Sequence, residues 1–228
     1  MANNLAGNHP ITIAAKCAPQ EDILHAILES GITAVELYTN NDMLHNIGRI
    51  QKLCEKFPFT YAAHAPTEGF APEHMAAFSQ SVGAAITVFH NIYWEDEWRC
   101  IAKQFESIYK QVCIENLSNA MDSVACMRRF GFKRCLDFEH LIMEIHGFGE
   151  QFFPGLIQHS AHIHMSGYTS GSTMWHTPLN YAPQQSAHLL DLLYENGYQG
   201  MVVSEASVSY QNVKEFKELN RFFMEWQH

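Results

Sequence analysis

Residues 112–140 hold the stretch that decides the fold: V-C-I-E-N-L at 112–117, a helical spacer, and K-R-C-L-D-F-E-H at 133–140. Each of these two short runs is typical of a buried β-strand and delivers a carboxylate near its end, Glu115 in the first and Asp137 in the second. A buried carboxylate is costly unless it is paired or binds a cation. The pattern therefore indicates two strands whose ends contribute to a polar site.

Two later runs repeat this arrangement. A-H-I-H-M-S at 161–166 carries His162 and His164, and M-V-V-S-E-A-S at 201–207 carries Glu205. Because side chains alternate along a strand, His162 shares a face with His164, and Val203 shares a face with Glu205. We expect the deeper member of each pair to fill the interior and the outer member to reach the strand end.

Eight strand-like runs alternate with helical segments along the chain. The runs are 11–17, 34–39, 59–66, 86–92, 112–117, 133–140, 161–166 and 201–206, and the helices are 19–30, 41–56, 72–82, 95–110, 120–130, 141–145, 184–196 and 212–226. This alternation predicts βαβ units, and a count of eight predicts one closed (β/α)8 TIM barrel of the α/β class. Active sites of such barrels lie at the carboxyl ends of the strands. Residues with metal-ligand chemistry fall there on successive strands: His64, His90, Glu115, Asp137, His164 and Glu205.

Composition narrows the class of protein further. With 228 residues, 47% of them hydrophobic, we expect a single domain spanning 1–228. A formal charge of -10 disfavours a nucleic-acid partner, and no apolar run is long enough to span a membrane. The six cysteines form no C-x-x-C pair and the first ten residues do not resemble a signal peptide, which predicts reduced thiols and a cytoplasmic location.

The side chains of Glu115, Asp137, His164 and Glu205 together suit a divalent cation such as Mn²⁺, Mg²⁺, Co²⁺ or Zn²⁺, with no organic cofactor expected. The alternative is that each of them is a salt-bridged core residue. That alternative requires four buried partners from only 14 Lys and Arg residues, and none of these follows the same four strand ends. A shared cation is therefore the better interpretation.

At this point the sequence resembles a known group of proteins. The motifs E-N at 115–116, D-x-x-H at 137–140, H-I-H-M at 162–165, H-T-P-L at 176–179 and S-E at 204–205 look like those of the xylose isomerase-like TIM-barrel superfamily. That superfamily includes sugar isomerases and epimerases of the tagatose epimerase type and the DNA-repair enzyme endonuclease IV. The resemblance extends from about residue 64 to residue 205 and implies the same barrel.

The epimerase-type resemblance implies one ion bound by Glu115, Asp137, His164 and Glu205. Glu115 and Glu205 would then act as base and acid on a carbon beside a carbonyl, and His140 would bind a substrate oxygen. The metal makes that carbon more acidic by polarising the neighbouring oxygens. The implied activity is isomerisation or epimerisation of a small sugar-like compound.

The endonuclease IV resemblance implies a different chemistry, phosphodiester hydrolysis by clustered Zn²⁺. It adds His64, His90, His140 and His176 as metal ligands, whereas a ninth ligand position, an Asp in that enzyme, falls on Met174. A complete three-zinc site is therefore not expected, although one or two ions are. The acidic charge, the short chain and the lack of basic loops favour the isomerase, with the hydrolase second and a catalytically inactive metal-binding barrel third.

Aromatic residues on the predicted loops are candidates for substrate binding. Trp94 follows the fourth run and Trp175 precedes His176, so both are candidate apolar walls over a sugar ring, with helix packing as the alternative. Tyr168 lies in the Gly- and Ser-rich loop 167–173, a candidate lid.

Two further charged residues lie on the first two strands. The nearest strand-end cation to the loop after the seventh strand is Lys16, and no Arg accompanies that loop, so a neutral substrate is favoured over a phosphorylated one. Glu36 is expected to make a structural hydrogen bond and to take no part in catalysis. Whether the chain forms a homo-oligomer is left open by the sequence.

Overall fold

A computed structural model describes residues 9–108, 110–117, 121, 123–144 and 150–227, apart from the side chains of residues 144 and 150. Eight parallel strands close into a barrel in the order β1 to β8, with β1 paired to β8. The strands are β1 Ile11–Cys17, β2 Ala34–Tyr38, β3 Thr60–His64, β4 Ile86–His90, β5 Gln111–Glu115, β6 Lys133–Asp137, β7 Ser160–Met165 and β8 Gly200–Ser204. The predicted (β/α)8 barrel is thus confirmed.

The helices surround the barrel. They are α1 Glu21–Ser30, α2 Asn41–His45, α3 Ile47–Cys54, α4 Pro72–Ser81, α5 Glu95–Glu106, α6 Val124–Phe130, α7 Phe138–Glu144, α8 Phe153–Ile157, α9 Pro183–Glu195 and α10 Val213–Trp226. Three 3₁₀ turns, Glu150–Phe152, Leu179–Tyr181 and Val208–Tyr210, lie in the connections. Among the described residues, no helix is long and apolar enough to cross a membrane.

The helix predicted over 41–56 is divided in two at Asn46. Asn46 leaves the helical region with φ -117° and ψ 29°, and its side-chain amide donates to the carbonyl of Asp42 at 2.8 Å. An Asn side chain that bonds to nearby backbone competes with helix formation, which explains the break. The five-residue α8 was not predicted, because it is too short to show a helical period.

The barrel interior has two levels. Small or sulfur-containing side chains fill the lower level: Ala14, Ala34, Ala62, Val88, Cys113, Cys135, Met201 and Val203. They are separate from the larger apolar core between the strands and the helices, which includes Leu24, Ile114 and Phe216. The expectation that Val203 fills the interior is confirmed, and Cys113 and Cys135 lie in the interior as well.

Some expectations fall outside the described residues. These are the first eight residues, the start of the predicted helix 120–130 at residues 120 and 122, and the end of the predicted helix at residue 145. The described portions of both helices, α6 and α7, are present.

Candidate functional site

One polar side chain from each strand or strand end faces the mouth of the barrel above the lower level. In chain order these residues are Lys16, Glu36, His64, His90, Glu115, Asp137, His164 and Glu205. Two-residue alternation along the strands explains this placement. Seven of the eight lie two positions beyond a residue of the lower level, and His164 lies two positions beyond His162. The eight side chains therefore converge although they span 189 positions of the sequence.

Glu115, Asp137, His164 and Glu205 form one compact group, which shares His164 and Glu205 with another group that also includes Glu36 and His64. Each offers one ligand atom, and those atoms all lie within 4.8 Å of one another. His164 Nδ1 is 3.1 Å from Glu205 Oε1, 3.6 Å from Glu115 Oε2 and 3.9 Å from Asp137 Oδ2. These distances place three carboxylates around one imidazole nitrogen, an arrangement that a single cation can bridge. We call these four residues the carboxylate–imidazole group.

Glu36 orients His164 from below. Its Oε2 accepts hydrogen bonds from Nε2 of His164 at 3.0 Å and from Nε2 of His162 at 2.7 Å. In the neutral ring, Nε2 of His164 carries the proton and Nδ1 presents its lone pair to the three carboxylates. A carboxylate that fixes the tautomer of a ligand histidine is a common support of metal sites. Glu36 thus makes the structural hydrogen bond expected of it, although its partners, two histidines of β7, could not be identified from the sequence pattern.

His64 and His90 form a second group with Glu115. Nε2 of His64 lies 2.8 Å from Glu115 Oε2, and Nε2 of His90 lies 3.4 Å from the same oxygen. Nδ1 of His64 donates to the carbonyl of Ala65 at 2.9 Å. In the neutral ring Nε2 then carries a lone pair, so its contact with a carboxylate requires a second proton or a cation between the two.

Asn116 and His140 complete the wall beside Asp137. The Asn116 side chain accepts from the backbone N–H of Asp137 at 2.9 Å and donates to the Asp137 carbonyl at 3.0 Å. Asp137 Oδ1 accepts from the backbone N–H of His140 at 2.8 Å, while the Asp137 Oδ2 atom is buried with no hydrogen-bond partner. Nδ1 of His140 donates to the Asn116 carbonyl at 2.9 Å and lies 3.5 Å from Glu115 Oε1.

The members of the carboxylate–imidazole group shift one another's pKa values in opposite directions. Burial alone would raise the pKa of each carboxyl, but His164 holds the pKa of Glu115 and of Glu205 well below the usual value. At Asp137, burial and repulsion from Glu205 and Glu115 raise the pKa well above its usual value. Burial opposes a charge on His164, yet the surrounding acidic groups, Glu205 among them, raise its pKa. These shifts favour the protonated forms of Asp137 and His164, which offset the negative charges of Glu115 and Glu205.

Lys16 corrects one expectation. The sequence placed no basic residue beside the four ligand candidates, but the Lys16 ammonium donates to Glu205 Oε1 and lies 3.4 Å from Glu36 Oε1. Burial alone would lower the pKa of Lys16, but Glu205, Glu36 and Glu115 raise it well above its usual value, so the ammonium remains charged. Closure of the barrel brings β1 beside β8, and this neighbourhood is not visible in a linear pattern.

The His176 side chain contacts Glu139 and is in none of the ligand groups found among the described residues. Its Nδ1 is 3.3 Å from Glu139 Oε1, its backbone N–H donates to the same carboxylate, and its backbone has a positive φ of 48°. Ser166 also donates to Glu139, which is buried. Neither His176 nor His140 belongs to a compact ligand group among the described residues. Met174, at the ninth ligand position, is exposed.

The aromatic candidates differ in position. Trp175 is 51% exposed and its ring centroid lies 5.7 Å from that of Tyr168, whereas Trp94 is 79% exposed at the start of α5. Tyr168 is buried; its N–H donates to Ser166 and its carbonyl accepts from Gln185. The loop is thus better anchored at Tyr168 than its Gly- and Ser-rich sequence indicates.

Comparison with known proteins agrees with this architecture. No protein-family model and no curated protein matches the sequence. Among solved structures, D-allulose 3-epimerase from Methylomonas sp. in complex with D-allulose has a TM-score of 0.68 at 8% identity, covering 94% of this chain and 96% of that one. The chain has the same barrel fold as this epimerase.

Two further structures show the same likeness. The 3-keto-D-glucoside 4-epimerase YcjR from E. coli has a TM-score of 0.63 at 14% identity, covering 94% of this chain and 99% of that one. An L-ribulose 3-epimerase has a TM-score of 0.64 at 13% identity, covering 94% and 93%. At these identities the likeness concerns the fold.

Proposed function

We propose that this protein is a metal-dependent isomerase or epimerase acting on a small sugar-like carbonyl compound. The observation that carries the proposal is the carboxylate–imidazole group, Glu115, Asp137, His164 and Glu205, whose ligand atoms lie within 4.8 Å of one another at the barrel mouth. Oδ2 of Asp137 and Nδ1 of His164 fit a divalent cation, because both atoms are buried without a hydrogen-bond partner and are acceptors once deprotonated. Mn²⁺, Mg²⁺, Co²⁺ and Zn²⁺ suit this donor set.

A bound divalent cation would polarise the carbonyl and hydroxyl oxygens of the substrate and so acidify the adjacent carbon. The protein supplies the proton transfer. Glu115 and Glu205 have lowered pKa values and are therefore ionised at neutral pH, so either carboxylate is able to accept a proton from that carbon. His140 is proposed to bind a substrate hydroxyl through Nε2, which is an acceptor when Nδ1 donates to the Asn116 carbonyl.

The ion pairs of Lys16 and the aromatic residues of the loops suggest which substrates the barrel mouth would accept. Lys16 is already engaged by Glu205 and Glu36, so a phosphate group would enter a mouth with excess negative charge. This supports a neutral substrate. Trp175 with Tyr168, and the exposed Trp94, are proposed as apolar walls for a sugar ring. The six free cysteines support a cytoplasmic location.

The experiment is solvent proton exchange. Metal-loaded protein is incubated in D2O with a panel of ketopentoses, ketohexoses and keto-glucosides, and NMR follows deuterium entering the carbon beside the carbonyl. We expect exchange in the wild type and a loss of about 10²–10⁴-fold in Glu115→Gln and Glu205→Gln. The exposed Glu195→Gln is the matched control and should exchange normally. Wild-type exchange that persists in both active-site variants would refute the assigned roles.

A second candidate function is metal-dependent phosphodiester hydrolysis. The observation in its favour is the group formed by His64, His90 and Glu115, which places two more imidazoles on one oxygen of Glu115. His64, His90 and Glu115 would hold a second ion, and a pair of ions would supply Lewis-acid activation of a water and of a phosphodiester. The metal content of protein purified without added metal separates the two readings: one ion per chain supports the isomerase, and two or three zinc ions support the hydrolase. Zn²⁺-dependent cleavage of an abasic-site oligonucleotide, abolished in Glu115→Gln, would establish hydrolysis.

A further inference from the structure

Lys16 connects two parts of the site that serve different purposes. Its ammonium donates to Glu205, a member of the carboxylate–imidazole group, and lies 3.4 Å from Glu36, the residue that holds His164. The Lys16 side chain is only 16% exposed, so its charge is compensated mainly by these two carboxylates.

The contact with Glu205 involves a specific oxygen atom. Oε1 of Glu205 accepts from Lys16, and the same Oε1 lies 3.1 Å from Nδ1 of His164. A cation bound between His164 and Glu205 would therefore use an oxygen that already carries an ammonium. Two positive charges that contact the same oxygen repel strongly in a buried site. The ammonium and the metal would therefore compete for Oε1 of Glu205.

Glu36 provides a second acceptor for the ammonium. Its Oε2 is occupied by two histidines, whereas its Oε1 is buried without a hydrogen bond and faces the Lys16 ammonium. A buried unpartnered carboxylate oxygen is costly, and a short movement of Lys16 Nζ would satisfy it. Lys16 thus has a prepared position to occupy when Glu205 turns away.

We propose that Lys16 is a positioning residue that competes with the divalent cation for Glu205, moving to Glu36 when Glu205 engages the metal or the substrate. Glu205 is then a ligand that exchanges between the metal and Lys16. This suits a carboxylate that must also accept and donate a proton. The inference rests on the metal site of the proposed function, and it extends that function by assigning a role to a residue of β1.

The test measures Mn²⁺ affinity by calorimetry on metal-stripped full-length protein. Lys16→Met removes the competing charge at similar volume, and we expect it to tighten binding by about tenfold or more. Lys16→Arg keeps the charge on a larger, planar group and should not show the tighter binding expected of Lys16→Met. Lys56→Met removes the same charge from an exposed pair with Glu21 and should leave the affinity unchanged.

Each outcome decides the proposal. Tighter binding in Lys16→Met, or binding in that variant when the wild type shows none, supports competition. Equal or weaker binding in folded Lys16→Met overturns it, as does a failure of both proteins to bind Mn²⁺. If Lys16→Met does not fold, Lys16→Gln is measured in its place with the same expectation. If Lys16→Met binds Mn²⁺ more tightly but the wild type catalyses no proton exchange, the inference about Lys16 holds and the sugar function is refuted. If the wild type catalyses exchange but Lys16→Met has unchanged Mn²⁺ affinity, the sugar function holds and the inference is refuted.

Discussion

Replacing Asp137 by Asn should remove metal binding and leave the barrel folded. Asn keeps the Oδ1 acceptor used by the His140 backbone and nearly the same volume, but it loses the charge and the unpartnered Oδ2. Burial and two neighbouring carboxylates raise the pKa of Asp137 well above its usual value, which favours the neutral carboxyl that an Asn side chain resembles. The metal-free variant should therefore be at least as stable as the wild type.

The size of the effect follows from ligand linkage. A ligand at a thousand times its Kd stabilises a protein by about 4 kcal/mol, and each kcal/mol raises Tm by about 2–4 °C for a chain of this length. Wild-type protein with excess Mn²⁺ should thus gain about 8–16 °C in a calorimetric scan, and Asp137→Asn should gain almost nothing. Asp96→Asn, an exposed replacement of the same kind, should show the full wild-type gain.

The dependence on pH gives a second readout of the same variant. A carboxyl with a raised pKa in the folded state binds a proton that the unfolded chain releases, so stability falls as pH rises above about 4 and continues to fall up to the folded pKa. Asp137→Asn should lack this part of the decline in the metal-free protein. A metal-free variant that melts far below the wild type yet keeps the full gain with Mn²⁺ would show that Asp137 is a core structural residue.

Three further changes test other parts of the site. Glu36→Gln should weaken metal binding by about 10–100-fold in calorimetry, because the variant no longer fixes the ligand histidine; unchanged affinity would deny Glu36 that role. His176→Ala should leave the metal count per chain unchanged in elemental analysis, since His176 contacts Glu139; loss of an ion would place it among the ligands. Gly167→Ala should lower Tm by several degrees, because its new Cβ would lie 2.3 Å from the Pro178 carbonyl oxygen, at a cost of about 1–3 kcal/mol; an unchanged Tm in a thermal scan would show that the loop adjusts freely.

The barrel and most of its mouth were predictable because both depend on local pattern. Strand runs show a two-residue period, so the inward side of β5 could be assigned from Cys113 and Glu115 alone. The same reasoning placed His164 and Glu205 at strand ends. Parallel order then brought these residues together without any knowledge of their contacts.

The remaining features depend on contacts between distant residues. Lys16 and Glu36 resemble ordinary charged residues at the ends of strands, and only the barrel's closure shows that they face Glu205 and His164. The contact between His176 and Glu139 also joins residues that are distant in the sequence. The left-handed backbone of His176 cannot be recognised from a periodic pattern.

The bond between Lys16 and Glu205 spans the seam where the first and last strands meet. A folding intermediate in which β8 has not docked would have seven of the eight mouth residues but no complete ligand set, because Glu205 follows that strand. Under the proposed function, the affinity of this chain for a cation would therefore also report on closure of the barrel at this seam.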